Sequence, residues 1–94
     1  MKVLAIEKEL NIEFSKTELM VNEAERVYEL YKDDKIREIY FQKQKHTAVI
    51  IFEVKDITEA KNLINSLPLV KNDVIDFDLM ELTPYNGLDR LIEK

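Results

Sequence analysis

The stretch LPLVKNDVIDFDLMELTPY, residues 67–85, decides the predicted fold of this chain. Pro68 has no backbone N–H and disfavours helix at the residue before it, so a helix is predicted to end there. Residues 74–82 then alternate between apolar and polar side chains, which is typical of a strand with one face toward a core. The Pro-Tyr-Asn-Gly run at residues 84–87 ends that strand. This stretch therefore predicts a helix, a strand and a separate C-terminal tail.

Three more strands and one more helix are predicted before this stretch. The apolar runs VLAI and AVIIF mark the centres of strands at residues 3–10 and 46–54. Residues 36–43 alternate in polarity and predict a third strand.

Each of the two helices has two candidate caps. A cap at Ser15 or Thr17 begins the first helix, and a cap at Asp56 or Thr58 begins the second. The first helix is predicted to be amphipathic. Its core-facing stripe comprises Met20, Ala24, Val27, Tyr28 and Tyr31. Its solvated face comprises Glu23, Glu25, Arg26 and Glu29.

The element order is therefore β-α-β-β-α-β, the split-βαβ arrangement of ferredoxin-like folds. It predicts an α+β protein with a four-stranded antiparallel sheet in the order 4-1-3-2 and both helices on one face. The two continuously apolar strands lie in the middle and the alternating strands at the edges. Residues 1–94 are expected to form a single domain in which residues 83–94 are the tail.

The composition restricts the classes of function. A net charge of −5, with both signs interleaved, disfavours binding to a phosphate backbone, so no nucleic-acid partner is expected. No cysteine, one histidine and one glycine leave no thiolate site, histidine-rich metal centre or glycine-rich phosphate loop. No apolar run approaches the roughly 18 residues of a membrane helix, and the N-terminus lacks a secretory pattern. A cytoplasmic protein without metal or cofactor, and with no membrane partner, is expected.

The central strands also predict a second copy of the chain. A sheet with helices on one face should alternate in its middle strands too, but VLAI and AVIIF are apolar on both faces. The simplest cover for the other face is the same sheet from a second copy, which predicts a face-to-face homodimer. The spacing of Leu88, Leu91 and Ile92 predicts a short amphipathic turn that docks on the body of the protein or on the partner.

Polar side chains around the apolar centre of the sheet are the candidate site residues. Those predicted to face the second sheet, around a small-ligand pocket between the sheets, are Glu7, Tyr40, Gln42, Asp76 and Asp78. An ordinary solvated rim would have the same composition.

Two of these candidates, together with His46 at the start of the third predicted strand, carry groups suited to catalysis. Tyr40 offers a ring and a hydroxyl donor, His46 could carry a proton near neutral pH, and Glu7 could act as a base. Arg37 could bind a carboxylate bidentately and Gln42 could hydrogen-bond a ligand. His46 at a hairpin edge and Arg37 at a strand start are equally compatible with exposed surface positions.

Several segments of the chain match one known family. They are the strand opening at residues 37–40, the strand end IFEV, Leu-Pro-Leu at residues 67–69, the strand at residues 75–82, and Pro-Tyr at residues 84–85. With these segments the chain resembles the muconolactone isomerase family of the dimeric α/β-barrel superfamily. The resemblance implies a ferredoxin-like protomer and a face-to-face sheet dimer, in which the two sheets form a dimeric α/β barrel.

The same resemblance implies a range of activities: lactone isomerisation, cofactor-free oxygenation of aromatic substrates, haem degradation or plain ligand binding. The first strand lacks the histidine that muconolactone isomerases show near their N-terminus, and no haem-ligand pattern is present.

Three functions remain open from the sequence, the third being a regulatory or subunit role in which the tail at residues 88–92 binds a partner. The first is a homodimer without catalytic activity that binds a small organic ligand between its sheets. The second is a small cofactor-free isomerase or oxygenase acting on an aromatic compound or lactone. In the second, Glu7, Tyr40 or His46 moves the proton, and Arg37 or Gln42 orients a carboxylate or carbonyl. Whether the protein is an enzyme is not decided by the sequence.

Overall fold

Within the residues that the structure describes, four strands and two main helices follow one another in the predicted order. The computed structural model describes residues 1–10 and 17–93. Its strands are β1 (Lys2–Glu9), β2 (Ile36–Phe41), β3 (Ala48–Glu53) and β4 (Ile75–Leu82). Its helices are α1 (Thr17–Lys32), α2 (Ile57–Asn65), the short α3 (Pro68–Lys71) and, after a 3-10 turn at Gly87–Asp89, α4 (Arg90–Glu93). None of these helices, in the part of the chain so described, is long and apolar enough to cross a membrane.

The sheet confirms the predicted fold class. Its order is β2-β3-β1-β4, with every neighbouring pair antiparallel, which is the ferredoxin-like order 4-1-3-2 read from the other edge. Val3 pairs with Phe52 and Ala5 with Ile50, so these four side chains share one face of the central strands. All four are buried beneath the helices. Burying each of the larger side chains contributes about 1.5–3 kcal/mol before entropy is counted.

The second helix begins at one of its two predicted caps. The side chain of Asp56 accepts a hydrogen bond from the backbone N–H of Glu59 at 2.8 Å, which is the usual N-cap geometry. Thr58, the other candidate, lies one residue inside α2 and is exposed. At the first helix, Ser15 and the side chain of Thr17 lie outside the described residues, so that prediction stays untested.

The Leu-Pro-Leu segment does more than end a helix. α2 ends at Asn65, before the predicted end at Pro68, and Pro68 is the first residue of the unpredicted helix α3. Leu67 before it is extended, with φ −74° and ψ 129°, as expected for a residue that precedes proline. Proline is well tolerated at the first helical position because no intrahelical hydrogen bond is required of its nitrogen.

The β2–β3 connection is longer than predicted. β2 ends at Phe41 and β3 begins at Ala48, whereas the sequence predicted strands reaching residues 43 and 46. The backbone N–H of Gln42 donates to the carbonyl of Thr47 at 2.7 Å, and that of His46 donates to the carbonyl of Gln42 at 2.8 Å. His46 has φ 58°, the left-handed conformation, which places it in the turn and not in a strand.

The predicted core stripe of α1 is wrong in most of its members. Leu30 is buried and Leu19 and Val27 are partly buried, whereas Met20, Tyr28 and Tyr31 are 51%, 66% and 53% exposed. The helix is therefore rotated relative to the prediction, so that its aromatic side chains lie beside the core and not within it.

Candidate ligand pocket

A pocket of about 720 Å³ lies between α1 and one end of the sheet. At this end β1 and β2 finish and β3 and β4 begin. One wall is the exposed stripe of α1, with Met20, Tyr28 and Tyr31, and the other is the helix-facing side of all four strands, with Ile39 and Phe41 among its residues. This volume and largely apolar lining are typical of small-molecule sites. The stripe of α1 that was predicted to face the core therefore lines this pocket.

Glu7 belongs to this pocket and not to the opposite face of the sheet. It follows Val3 and Ala5 on the same face of β1, and it pairs with the buried Phe77 of β4. The prediction that Glu7 faces a second sheet is therefore wrong, because residues two apart on a strand point the same way. Its Oε1 accepts a hydrogen bond from the backbone N–H of Ala48 at 2.9 Å, which holds the carboxylate at the start of β3.

His46 lies at the mouth of the same pocket. Its ring stacks on that of Phe41, with centroids 4.0 Å apart and planes 19° from parallel. The left-handed backbone of His46 turns the chain back over Phe41, so the turn itself positions the imidazole. The structure thus brings together two of the three predicted catalytic residues, Glu7 and His46, from strand and turn.

Glu23 of α1 lines the pocket from the opposite wall and was predicted to be solvated. Its Oε1 accepts a hydrogen bond from the backbone N–H of Leu69 at 3.0 Å. Burial raises the pKa of the Glu23 carboxyl, the Leu69 hydrogen bond opposes that rise, and the nearby Glu7 charge adds to it. The sequence contained a signal for this position, because Leu19, Glu23 and Val27 are spaced four apart along the partly buried side of α1.

Tyr40, the third predicted catalytic residue, lies on the open face of the sheet. It pairs with Val49, and its hydroxyl donates to Oε1 of Glu38 at 2.6 Å. That hydrogen bond and the negative charge of Glu38 raise the pKa of the Tyr40 hydroxyl. Asp78 lies on the same face, where it accepts a hydrogen bond from Lys8 at 3.1 Å. The open face was predicted correctly for Tyr40 and Asp78.

The two predicted ligand-binding residues have other surroundings. The side-chain oxygen of Gln42 accepts from the backbone N–H of Lys45 at 2.6 Å and so stabilises the β2–β3 turn. Arg37 lies at the irregularity in the pairing of β2 with β3 and is exposed. Its charge helps to lower the pKa of Glu53, after the larger effect of the hydrogen bond from the N-terminus. Neither lines the pocket.

The chemistry available in the pocket is that of hydrogen-bond acceptors in an apolar cleft. Carboxylates project from both walls, an imidazole lies at the mouth, and aromatic rings supply flat surfaces. Such groups can accept protons or hydrogen bonds from a bound molecule. Among residues 1–10 and 17–93, no three acidic or histidine side chains lie close enough together to hold a metal ion.

Two solved structures are similar to this chain. Muconolactone isomerase matches with a TM-score of 0.78 at 16% identity, over 93% of this chain and 93% of that chain. A 5-chloro-2-hydroxyhydroquinone dehydrochlorinase from Burkholderia phenoliruptrix, solved with 2,5-dihydroxybenzoquinone, matches with a TM-score of 0.63 at 16% identity, over 90% of this chain and 96% of that chain. No protein-family model and no curated protein matches the chain by sequence. The similarity therefore confirms the muconolactone isomerase-like fold expected from the sequence.

Proposed function

We propose that the protein is a homodimer in which each protomer binds a small, largely apolar organic ligand in the pocket beneath α1. The observation that carries this proposal is the exposed stripe of α1 along one side of the cleft. Met20, Tyr28 and Tyr31 would be expected to bury themselves in a core, and instead they form one wall of a space of about 720 Å³. A ligand between this wall and the sheet would remove both apolar surfaces from water.

The open face of the sheet supports the dimer part of the proposal. The residues at its centre are apolar. Ile6 of β1 is 42% exposed, and Met80 of the adjacent strand β4 is 56% exposed. Charged pairs such as Lys8–Asp78 lie toward its edge. An apolar centre with a polar rim is the usual composition of a protein interface. A second copy packed sheet to sheet would bury this centre.

The exposed apolar side chains of the C-terminal tail also favour a second copy of the chain as the partner. Leu88, Leu91 and Ile92 are 63%, 62% and 84% exposed. A tail whose apolar side is exposed is suited to docking on the partner.

Ligand binding is tested by filling the pocket. The probe is N-phenylnaphthylamine, a neutral aromatic dye whose fluorescence rises in apolar sites. We expect saturable binding to the wild-type protein and at least about tenfold weaker binding to Val27→Trp, whose indole would occupy the cleft. Because Val27 also packs against the core, urea unfolding checks that this variant is folded, and Ala24→Trp, at an exposed lining position, replaces it if it is not. Val21→Trp is the matched control, because Val21 lies on the same helix, is exposed and does not line the pocket. Equal binding by Val27→Trp and Val21→Trp, or none by the wild type, would overturn the proposal.

A second candidate function is catalysis in the same pocket. The observation that favours it is that Glu7, Glu23 and His46 line the same cleft. The pKa of Glu23 is raised, so this carboxyl holds a proton more tightly than an ordinary carboxyl does, as is common for groups that transfer protons. The two similar structures are named as an isomerase and a dehydrochlorinase. A cofactor-free isomerase or oxygenase acting on a small aromatic compound or lactone would use Glu7 or His46 to move the proton.

The enzyme candidate is tested by turnover of small lactones and hydroquinones. Glu7→Gln or His46→Gln should lower the rate by about 100-fold or more if these groups transfer the proton. Tyr40→Phe tests a site on the open face, where Arg37 or Gln42 would orient a carboxylate or carbonyl. A loss of turnover in Tyr40→Phe alone would move the reaction to the interface between sheets. Unchanged rates in all three variants would reject these residues as catalytic.

A further inference from the structure

We infer that the pocket beneath α1 selects aromatic ligands that carry O–H or N–H donors and no negative charge, and that Glu7 and Glu23 enforce this choice. The inference rests on the proposed ligand-binding function and names the chemical class of the ligand. It would make the protein a binder of phenols or aromatic amines and not of aromatic carboxylates.

The charge of the pocket carries the first step. Glu7, Glu9 and Glu23 line it, and His46 is the basic residue of its lining. No lysine or arginine of the described ranges 1–10 and 17–93 lines the cleft. A bound carboxylate would thus meet like charges from the strand wall and the helix wall without a strong cation to pair with. Repulsion of this kind is weakly screened in a partly enclosed, apolar site.

The fixed positions of the two carboxylates carry the second step. Oε1 of Glu7 is held by the backbone N–H of Ala48 at 2.9 Å, and Oε1 of Glu23 by that of Leu69 at 3.0 Å. Each carboxylate is thus oriented by one hydrogen bond, and its second oxygen has the capacity to accept another. A ligand between α1 and the sheet could donate to either wall. Hydrogen bonds to a charged acceptor are about twice as strong as neutral ones.

The aromatic walls carry the third step. The Phe41 and His46 rings are already stacked at the pocket mouth, and Tyr28 and Tyr31 face the cleft from α1. Flat rings favour offset stacking with a planar ligand, and their electron-rich faces also attract an ammonium group. An aromatic ligand with a hydroxyl or amino substituent can stack on the rings and donate hydrogen bonds to the carboxylates at the same time.

The test compares three ligands built on one phenol ring. They are 4-hydroxybenzyl alcohol, which is neutral, tyramine, which is a cation, and 4-hydroxybenzoate, which is an anion. Each competes against N-phenylnaphthylamine for the wild-type protein. We expect the alcohol and the amine to bind at least about tenfold more tightly than the carboxylate. Equal or tighter binding of 4-hydroxybenzoate would overturn the inference.

The role of the two carboxylates is tested in the double variant Glu7→Gln/Glu23→Gln. Glutamine keeps an acceptor oxygen for each backbone N–H, and urea unfolding checks that the variant is folded. The preference should fall to about threefold or less, chiefly because the carboxylate ligand binds better. The control Glu18→Gln/Glu25→Gln changes the net charge equally at exposed positions of α1 outside the pocket, and it should keep the wild-type preference.

The two proposals fail in different ways. If the dye binds Val27→Trp and Val21→Trp equally, the pocket is not the binding site and the proposed function itself fails. If the dye does report the pocket but the preference is absent, or is the same in the double variant and its control, only the inference about ligand charge fails. If the double variant is unfolded, Glu7→Gln alone is measured, and an unchanged preference there would contradict the role of Glu7.

Discussion

The carboxylate of Glu23 on α1 accepts a hydrogen bond from the backbone N–H of Leu69 on α3 at 3.0 Å. Leu69 is the second residue of α3, whose N-cap, Leu67, has no side chain able to cap it. Glu23 therefore supplies from another helix the acceptor that the local sequence lacks. One turn further along α1, Arg26 donates to the hydroxyl of Ser66 at 3.0 Å. These two contacts fix the helix wall of the pocket against the Leu-Pro-Leu segment.

Removing the Glu23 acceptor should destabilise the fold. We expect Glu23→Ala to lower the free energy of unfolding by about 1–2 kcal/mol, because the partly buried N–H of Leu69 loses its partner. Glu25→Ala, at an exposed position of the same helix, should change it by less than about 0.5 kcal/mol. Urea unfolding of the two variants measures the difference. Equal values would mean that water replaces the Glu23 contact without cost.

The raised pKa of Glu23 predicts a pH dependence of stability. The folded protein holds this proton to a higher pH than the unfolded chain, so its stabilising contribution is complete below the ordinary carboxyl pKa and is lost as pH rises through the raised pKa. The Glu23→Gln variant has no titratable group at this position. Its free energy of unfolding relative to wild type should therefore increase as pH rises from the ordinary carboxyl pKa through the raised pKa of Glu23. Urea unfolding across this range checks the sign, and a flat or falling difference would contradict it.

The sequence left Asp56 and Thr58 as alternative caps of α2, and the two can be told apart by their effects on stability. Asp56→Ala should cost about 1 kcal/mol of stability, because the N–H of Glu59 loses its acceptor at 2.8 Å. Thr58→Ala should cost less than about 0.5 kcal/mol, since Thr58 is exposed within the first turn. Thermal or urea unfolding of both variants decides this, and a larger loss for Thr58→Ala would reassign the cap.

The open face of the sheet predicts how the proposed dimer can be separated. Ile6→Glu places a charge at the apolar centre of that face while leaving the core of the protomer intact, because Ile6 lies on the central strand β1 and is 42% exposed. We expect its dimer dissociation constant to rise by at least about tenfold, since an unpaired charge would have to be buried. Asn62→Glu, on the exposed side of α2, adds the same charge and should leave association unchanged. Sedimentation velocity measures both, and a monomeric wild-type protein at micromolar concentration would remove the dimer.

Local patterns predicted the sheet better than the pocket. The β-α-β-β-α-β element order predicted the strand order, and the apolar runs VLAI and AVIIF agreed with it, because the central strands are the most apolar. Alternation in residues 74–82 predicted the faces of β4, because side chains on a strand have a period of two. The pattern on α1 was less decisive, since its apolar and aromatic residues exceed what one core-facing stripe requires. Leu19, Val27 and Leu30 enter the core and the aromatic residues remain outside it.

The sequence by itself determined the order of the elements, because spacing within a few residues sets each one, and that order predicted the sheet topology. The choice of Asp56 over Thr58 as the cap of α2 came from the structure. Only the tertiary structure decided that Glu7, Glu23 and His46 meet in one cleft. These residues come from a strand, a helix and a turn. α1 presents Leu19, Val27 and Leu30 to the core, and its Glu23 contacts Leu69 across 46 residues. The spacing of Leu19, Glu23 and Val27 indicates a shared helix face but does not identify what that face contacts, which explains why the fold could be predicted and the position of the site could not.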